Sequence, residues 1–298
     1  MPELPEVETI RMQLEEKIKG LRIANIEVLM KKSFIGEIGE IIERRVMAVS
    51  RRGKITIIEL EGGVYLAVHL KLTGQLIYRE AQNAKRKTQN EEYCEKDGPF
   101  AVCELPNKYT RVIISFNNGG KLYFNDLRIF GWIKVVKSSK LKVKSYEELP
   151  ELKKLGPEAN DEKVFSLDYF HKLLAKSGKP IKLMIMDQEK LAGVGNIYAN
   201  EALFLAGISP TRKAISLSEE EVKKLRDSIL KVLKEAISHQ GSSDKDEAYR
   251  QISGEKGKHQ NYLQVYGRAG QKCPSCRGLI KRITLGGRGT FFCEKCQH

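Results

Sequence analysis

Apolar and polar positions recur with two different periods along this chain, and each period marks a region. Near the start, Val7, Ile10, Leu14 and Ile18 fall at helical spacing behind Pro5, which suits the first turn of a helix because its missing N–H costs nothing there. From there to about residue 140 the apolar runs shorten. Leu21–Met30 and Ile41–Val49 read as strands, Lys54–Leu60 alternates through Ile55, Ile57 and Leu60, and Val64–Tyr78 is apolar enough for two strands. Asn117-Asn118-Gly119-Gly120 between Arg111–Phe116 and Lys121–Phe124 predicts a hairpin. One helix with many short, closely spaced strands argues for a β-sandwich or barrel-like layer.

The second half returns to the helical period. The Lys- and Glu-rich stretch Ser138–Glu151, shortly before Gly156-Pro157, reads as a linker. Ser166 can cap a helix running to about Lys176, with Gly178 stopping it. Gly193 and Gly195 interrupt a further pattern that resumes at Ile197 and ends at Gly207, with Pro210 beyond. Ser218-Glu219-Glu220-Glu221 is a capping box, and Val222, Leu225, Ile229, Val232 and Ala236 form a buried stripe closed by Gly241. Two segments lack a period. Glu80–Pro106 is polar and reads as an insertion, and Gly241–Gln260 reads as a mobile loop with room to close over a ligand.

Length and composition narrow the setting. The 298 residues suffice for about two domains, and 41% hydrophobic with 30% charged residues describes a globular protein. No apolar run approaches the roughly 18 residues of a membrane span, so no membrane partner is expected. The acidic start carries no apolar signal segment, which places the chain in a bacterial-type cytoplasm. A net charge of +14 favours a polyanionic partner.

Candidate chemistry sits at a few points. Met1 precedes a small residue, so its removal would leave Pro2 with a secondary amine able to form an iminium with a sugar aldehyde carbon. Glu3 and Glu6 follow closely enough to move protons beside it. The positive end of the first helix would disfavour protonation of the amine, keeping more of it nucleophilic near neutral pH. Lys54 closes the cationic turn Ser50–Lys54 and could bind phosphate or act on a proton. His69 and Lys71 share a strand face. Arg128 and Phe130 lie two apart beside Gly131, a pair that could enter a base stack. Asn196 starts a helix behind a Gly-rich turn, where backbone N–H groups can meet a phosphate. Cys273, Cys276, Cys293 and Cys296 form C-x₂-C-x₁₆-C-x₂-C, the spacing of a four-thiolate zinc ribbon, around a hairpin Leu279–Phe292 tipped by Gly286-Gly287. Cys94 and Cys103 read as spare thiols.

Taken together, the Pro2-Glu3-Leu4-Pro5-Glu6 start, the Gly193-Val194-Gly195-Asn196-Ile197-Tyr198-Ala199 turn and the closing ribbon with Gly287-Arg288 resemble the formamidopyrimidine-DNA glycosylase family. The resemblance implies an α+β fold: an N-terminal β-sandwich flanked by helices (1–140), a helical helix–two-turn–helix domain (150–240), and a lesion-loop region with a C-terminal zinc ribbon (241–298). It implies a bifunctional glycosylase and abasic-site lyase of base excision repair. A monomer near the nucleoid would act on double-stranded DNA carrying oxidised bases or abasic sites, with one structural Zn²⁺. Carried over by position, Pro2 is the nucleophile, Glu3 the proton donor, Lys54 the lysine of β-elimination and Arg288 the arginine of δ-elimination, with Glu6 a second catalytic carboxylate. Arg128, Phe130, Leu72, Tyr109, Asn196, Lys182 and His69 are the expected DNA contacts. Three positions depart from the family pattern: Leu72 stands where a void-filling methionine is common, Ile129 replaces a second arginine, and Tyr109 replaces a phosphate-binding histidine. Leu4-Pro5 favours oxidised purines, 8-oxoguanine and formamidopyrimidines. The alternatives are a Nei-like enzyme for oxidised pyrimidines and a non-catalytic zinc-ribbon DNA-binding protein.

Overall fold

The computed structural model describes residues 1–81, 102–137, 149–243 and 248–298. Their contacts divide the chain into two units, Met1–Lys153 with His239–Lys258, and Lys154–Ser238 with His259–His298. The segment 239–258 therefore belongs with the N-terminal half, whereas the C-terminal ribbon belongs with the helices.

In the first unit, α1 (Leu4–Ile18) buries Leu4, Val7, Ile10, Leu14 and Ile18 along the face its apolar period predicts. Among the described residues nine strands follow: β1 (Ile23–Val28), β2 (Phe34–Ile35), β3 (Val46–Arg52), β4 (Ile55–Leu60), β5 (Val64–His69), β6 (Gly74–Arg79), β7 (Thr110–Phe116), β8 (Lys121–Asp126) and β9 (Trp132–Lys137). They form a five-stranded sheet in the order β2-β9-β5-β4-β3 and a four-stranded sheet in the order β1-β7-β8-β6. The strand expected at Ile41–Val49 begins only at Val46, because Glu43 turns the chain at φ 61° and the Arg44 N–H bonds the Ile41 carbonyl. Leu66 and Val68 of one sheet, Leu76, Val112 and Phe124 of the other, and Ile10 and Leu14 of α1 share one core, which makes a sandwich.

The outer face of the four-stranded sheet has a smaller core of its own. Val102 and Leu105 pack on Ile77, Ile113 and Tyr123. Arg79 ties this patch down, its guanidinium donating to the Val102 carbonyl and to the Ser253 carbonyl, both at 2.8 Å. Cys103 is disulfide-bonded rather than a spare thiol. Cys94, most of the Glu80–Pro106 insertion and most of the Ser138–Glu151 linker lie outside the described residues.

Segment 239–258 does not hang free where it is described. Tyr249 and Ile252 join the sandwich core, and Ser242, Arg250 and Gln251 are buried. Its polar residues find partners at a distance in sequence: Gln75 donates to the Ala248 carbonyl at 2.7 Å, and Gln13 bonds both the Gln251 side chain and the Ile252 N–H. A polar composition read as a loop here contributes buried, hydrogen-bonded residues to the first unit. Residues 244–247 lie outside the described residues.

After a short α2 (Pro150–Lys153), the second unit packs α3 (Leu167–Leu174), α4 (Ile181–Met186), α5 (Asn196–Ala206) and α6 (Glu219–Ser238). Ser166 caps α3 by accepting the Tyr169 N–H at 3.1 Å, and Ser218 and Glu221 form the capping box of α6. α5 lies against α4, α6 and the C-terminal hairpin of β10 (Lys281–Leu285) and β11 (Arg288–Phe292). Gly286 and Gly287 supply the two positive φ values, 56° and 72°, that a two-residue hairpin turn demands.

Candidate functional site

The N-terminal residues are held as an interior, not as a tail. Pro2 is buried, Glu3 is 2% exposed at the N-cap of α1, and Glu6 is fully buried at N3. Glu6 Oε2 accepts the Glu3 N–H at 2.8 Å, and Glu6 Oε1 accepts the Ser242 N–H at 2.8 Å. Tyr249 lies close by with its hydroxyl on the Gln240 carbonyl, and burial, then the Glu6 charge, push its phenol well above the usual range. α1 also packs on β3 and β4, the strands flanking Lys54, and Arg51 anchors that turn through Glu8 at 2.8 Å. Lys54 itself is 7% exposed, following Gly53 in its left-handed conformation.

His69 sits beside this turn, opposite Ile55 in the β4–β5 ladder. Burial and the nearby Lys71, Lys54 and Lys134 push its pKa down to about 3, so the ring is neutral. Its Nδ1 accepts the Lys71 N–H at 3.0 Å, and Trp132 meets it edge-on. His69 therefore offers no positive charge at neutral pH.

Two loops meet at the end of β8. One carries Leu72 between β5 and β6; the other carries Arg128 and Phe130 between β8 and β9. Phe130 is 47% exposed, and the Arg128 guanidinium lies 4.9 Å from its ring centroid. Asp126, fully buried, accepts the Arg128 N–H at 3.2 Å, the Gly131 N–H at 2.7 Å and the Thr73 hydroxyl. Tyr109 joins the same corner, its carbonyl accepting the Asp126 N–H at 2.9 Å.

In the second unit, the Gly-rich turn is held by Gln188, which donates to the Met186 and Val194 carbonyls and accepts the Gly193 N–H at 2.9 Å. Asn196 opens α5 behind it and donates to the Gly289 carbonyl at 3.1 Å. Lys182 is fully buried, its ammonium on the same carbonyl and on Thr290 Oγ1 at 2.7 Å. Both residues thus grip the strand whose first residue is Arg288, which is exposed. Asn200 adds a bond to the Phe291 N–H at 2.8 Å.

The four ribbon cysteines have ligand atoms within 4.8 Å of one another. A tetrahedral Zn²⁺ with Zn–S near 2.3 Å needs sulfurs roughly 3.8 Å apart, so the set fits one zinc ion with no other ligand. Cys273 and Cys293 are buried and pack with Phe204, Val265 and Ile280, joining the metal knuckles to the end of α5.

The structure thus gathers Pro2, Glu3, Glu6, Lys54 and His69 around α1 and the strands it packs on, and Leu72, Tyr109, Arg128 and Phe130 at the Asp126 corner. In the other unit it gathers Asn196, Lys182 and Arg288 at the ribbon hairpin. Sequence reading missed Asp126, Gln188 and Gln75. Gln75 gave no local signal because its partner, the Ala248 carbonyl, lies far along the chain, whereas Asp126 and Gln188 collect backbone groups within a few residues and were passed over as ordinary turn residues.

Residues 1–133 match the family model described as the formamidopyrimidine-DNA glycosylase N-terminal domain, residues 155–247 that of its H2TH domain, and residues 270–298 that of a zinc finger found in FPG and IleRS. A formamidopyrimidine-DNA glycosylase of Pelotomaculum thermopropionicum is 37% identical over 302 residues, covering 100% of this chain and 99% of that relative. Lactococcus lactis Fpg solved with DNA containing an abasic site has a TM-score of 0.82 at 34% identity, covering 99% of each chain. The same protein solved with Fapy-dG DNA gives a TM-score of 0.81 at 34% identity, covering 99% of this chain and 100% of that one.

Proposed function

Because the chain belongs to the formamidopyrimidine-DNA glycosylase family, we propose that it excises oxidised purines from double-stranded DNA and then cuts the strand at the resulting abasic site. The observation that carries this reading is the terminus. Pro2 and Glu3 are buried side by side at the positive end of α1, where the helix dipole disfavours a protonated amine and so favours its nucleophilic form.

With Met1 removed, the Pro2 nitrogen attacks C1′ of the extruded nucleotide while Glu3 delivers a proton to the sugar ring oxygen. The bond to the base breaks, its electron pair leaving with the base, which takes up the amine proton. The nitrogen lone pair then closes a C=N bond as the C1′–O4′ bond breaks and leaves its pair on the ring oxygen that Glu3 protonates. The iminium keeps its charge because nitrogen has no second proton to lose. It acidifies C2′–H, so removal of that proton expels the 3′ phosphate, and a second elimination expels the 5′ phosphate. Lys54 assists the first elimination and Arg288 the second, each beside a departing phosphate. Asn196 binds backbone phosphate, as does Tyr109, while Lys182 acts through the strand it holds under Arg288. Leu72, Arg128 and Phe130 fill the stack the damaged base leaves.

The complexes of the Lactococcus relative with Fapy-dG DNA and with abasic-site DNA support a damaged purine and an abasic site as substrates, and its complex with oxidised-pyrimidine DNA supports the alternative pyrimidine reading. The test is borohydride trapping on duplexes containing 8-oxoguanine or an abasic site, followed by peptide mass spectrometry. A reduced adduct on Pro2, lost in Pro2→Gly and in protein that retains Met1, is the expected result. An adduct on an internal lysine with Pro2 unmodified overturns the mechanism, and no adduct at all favours a DNA-binding protein without catalysis. A panel of oxidised purines and pyrimidines opposite each base separates the purine reading from the pyrimidine one.

A further inference from the structure

We propose that Asp126 is a positioning residue that locks the Leu72 loop and the Arg128–Phe130 loop into one rigid wedge. The inference rests on the reading that these side chains enter a base stack. Its structural basis is the fan of donors around one buried carboxylate. Oδ2 takes the Gly131 N–H at 2.7 Å, at the far end of the Arg128–Phe130 tip. Oδ1 takes the Arg128 N–H at 3.2 Å, at the near end, and also the hydroxyl of Thr73, the residue after Leu72. Thr73 Oγ1 in turn accepts the Arg128 N–H at 3.0 Å, so the two loops are cross-linked directly as well as through the carboxylate.

Two further observations show why such a lock is needed. Lys71, just before Leu72, has φ 52°, and Ile129, between Arg128 and Phe130, has φ 56°. Left-handed backbone is costly for any residue with a Cβ and most costly for a β-branched one, so each tip persists only where its surroundings over-determine it. The approach is also close at Gly131, where a Cβ would meet Phe124 at 2.8 Å, the His69 carbonyl at 3.0 Å and Asp126 Oδ2 at 3.1 Å. Asp126 thus holds both ends of one strained tip and the root of the other. Inserting side chains into stacked DNA costs unstacking energy that a loose tip would add to with its own ordering entropy. A wedge already fixed in shape avoids that added cost.

The role predicts a split between substrates. Extruding a base from a duplex needs the wedge, whereas cleaving an abasic site in single-stranded DNA does not. The full-length protein carrying Thr73→Val, which removes only the hydroxyl, and Asp126→Asn, which places an amide donor against backbone N–H groups, are compared with the unaltered protein. Three measurements are made: single-turnover excision from an 8-oxoguanine·cytosine duplex, the fluorescence rise of 2-aminopurine beside the lesion as it unstacks, and strand cleavage of a single-stranded abasic oligonucleotide. Both variants are expected to slow duplex excision and 2-aminopurine unstacking by about tenfold or more, with single-strand cleavage changed less than about twofold. Equal losses on both substrates, or no loss on the duplex, would overturn the positioning role. Should Asp126→Asn fail to fold, Thr73→Val alone decides. An unaltered protein that cleaves neither substrate would sink the glycosylase reading itself, an outcome distinct from the others.

Discussion

Glu6 and Ser242, 236 residues apart in sequence, are joined by a 2.8 Å hydrogen bond from the Ser242 N–H to Glu6 Oε1. The other oxygen of the same carboxylate holds the Glu3 N–H. One buried side chain therefore fixes both the backbone of Glu3 and the segment that returns to the sandwich after α6. The fit is tight, since a Cβ on Gly241 would lie 2.9 Å from Glu6 Oε1.

The first prediction concerns that bond. In Glu6→Gln an amide NH₂ must face one of the two N–H donors, and a lost hydrogen bond to a buried charged group costs about 2 kcal/mol. Chemical denaturation should show a loss of that size. The borohydride adduct should still form, and the acidic limb of the pH–rate profile should stay where it was, because both Glu6 oxygens are taken up by backbone N–H groups. Glu3→Gln, by contrast, should abolish base excision. A shifted acidic limb in Glu6→Gln would assign Glu6 a proton-transfer role instead.

The second prediction follows from His69. Its ordinary value of 6.5 falls to about 3 in the folded chain. As pH falls the unfolded chain takes up the proton first, so the stability contributed by neutral His69 is present above about pH 6.5 and lost progressively toward pH 3. Imidazole resonances should show no titration of His69 between pH 5 and 8. His69→Gln keeps an acceptor for the Lys71 N–H and should flatten the slope of unfolding free energy between pH 6 and 4. A midpoint near 6 for His69 would contradict the electrostatics described above.

The third concerns the metal. Stripping Zn²⁺ with a strong chelator should unfold the ribbon, because structural zinc in such knuckles is worth about 10 kcal/mol or more of folding free energy. The strand carrying Arg288 and gripped by Asn196 and Lys182 would go with it. Duplex affinity should fall at least about tenfold, while hydrogen exchange in β5 and β8 stays protected. Unchanged affinity after verified metal loss would remove the ribbon from DNA binding.

Local patterns were the legible part of this molecule. The stripe on α1, the Ser166 and Ser218 caps, the Asn117–Gly120 turn and the cysteine knuckles each span a few residues, and each is where its spacing puts it. What stayed hidden were polar side chains whose partners are far along the chain. Gln75 reads as an ordinary strand residue until it meets Ala248, and Glu201 reads as a helix-surface acid. In fact Glu201 gathers the N–H groups of Gln264, Val265 and Tyr266, and burial pushes its carboxyl up. Lys182 misleads in the same way: a basic residue near a Gly-rich turn looks like a phosphate contact, yet its ammonium is interior. The candidate site was visible as residue types, and its assembly was set by long-range bonds that no window of sequence contains.

The anchoring of Val102 and Leu105 on the outer sheet face sets a boundary for anyone redesigning the segment ahead of them. Deletions that stop before Val102 keep Ile77, Ile113 and Tyr123 under cover and leave Arg79 its carbonyl partner. A cut that runs past it would bare a contiguous oily surface on an otherwise cationic protein, turning a trimmed enzyme into one prone to self-association.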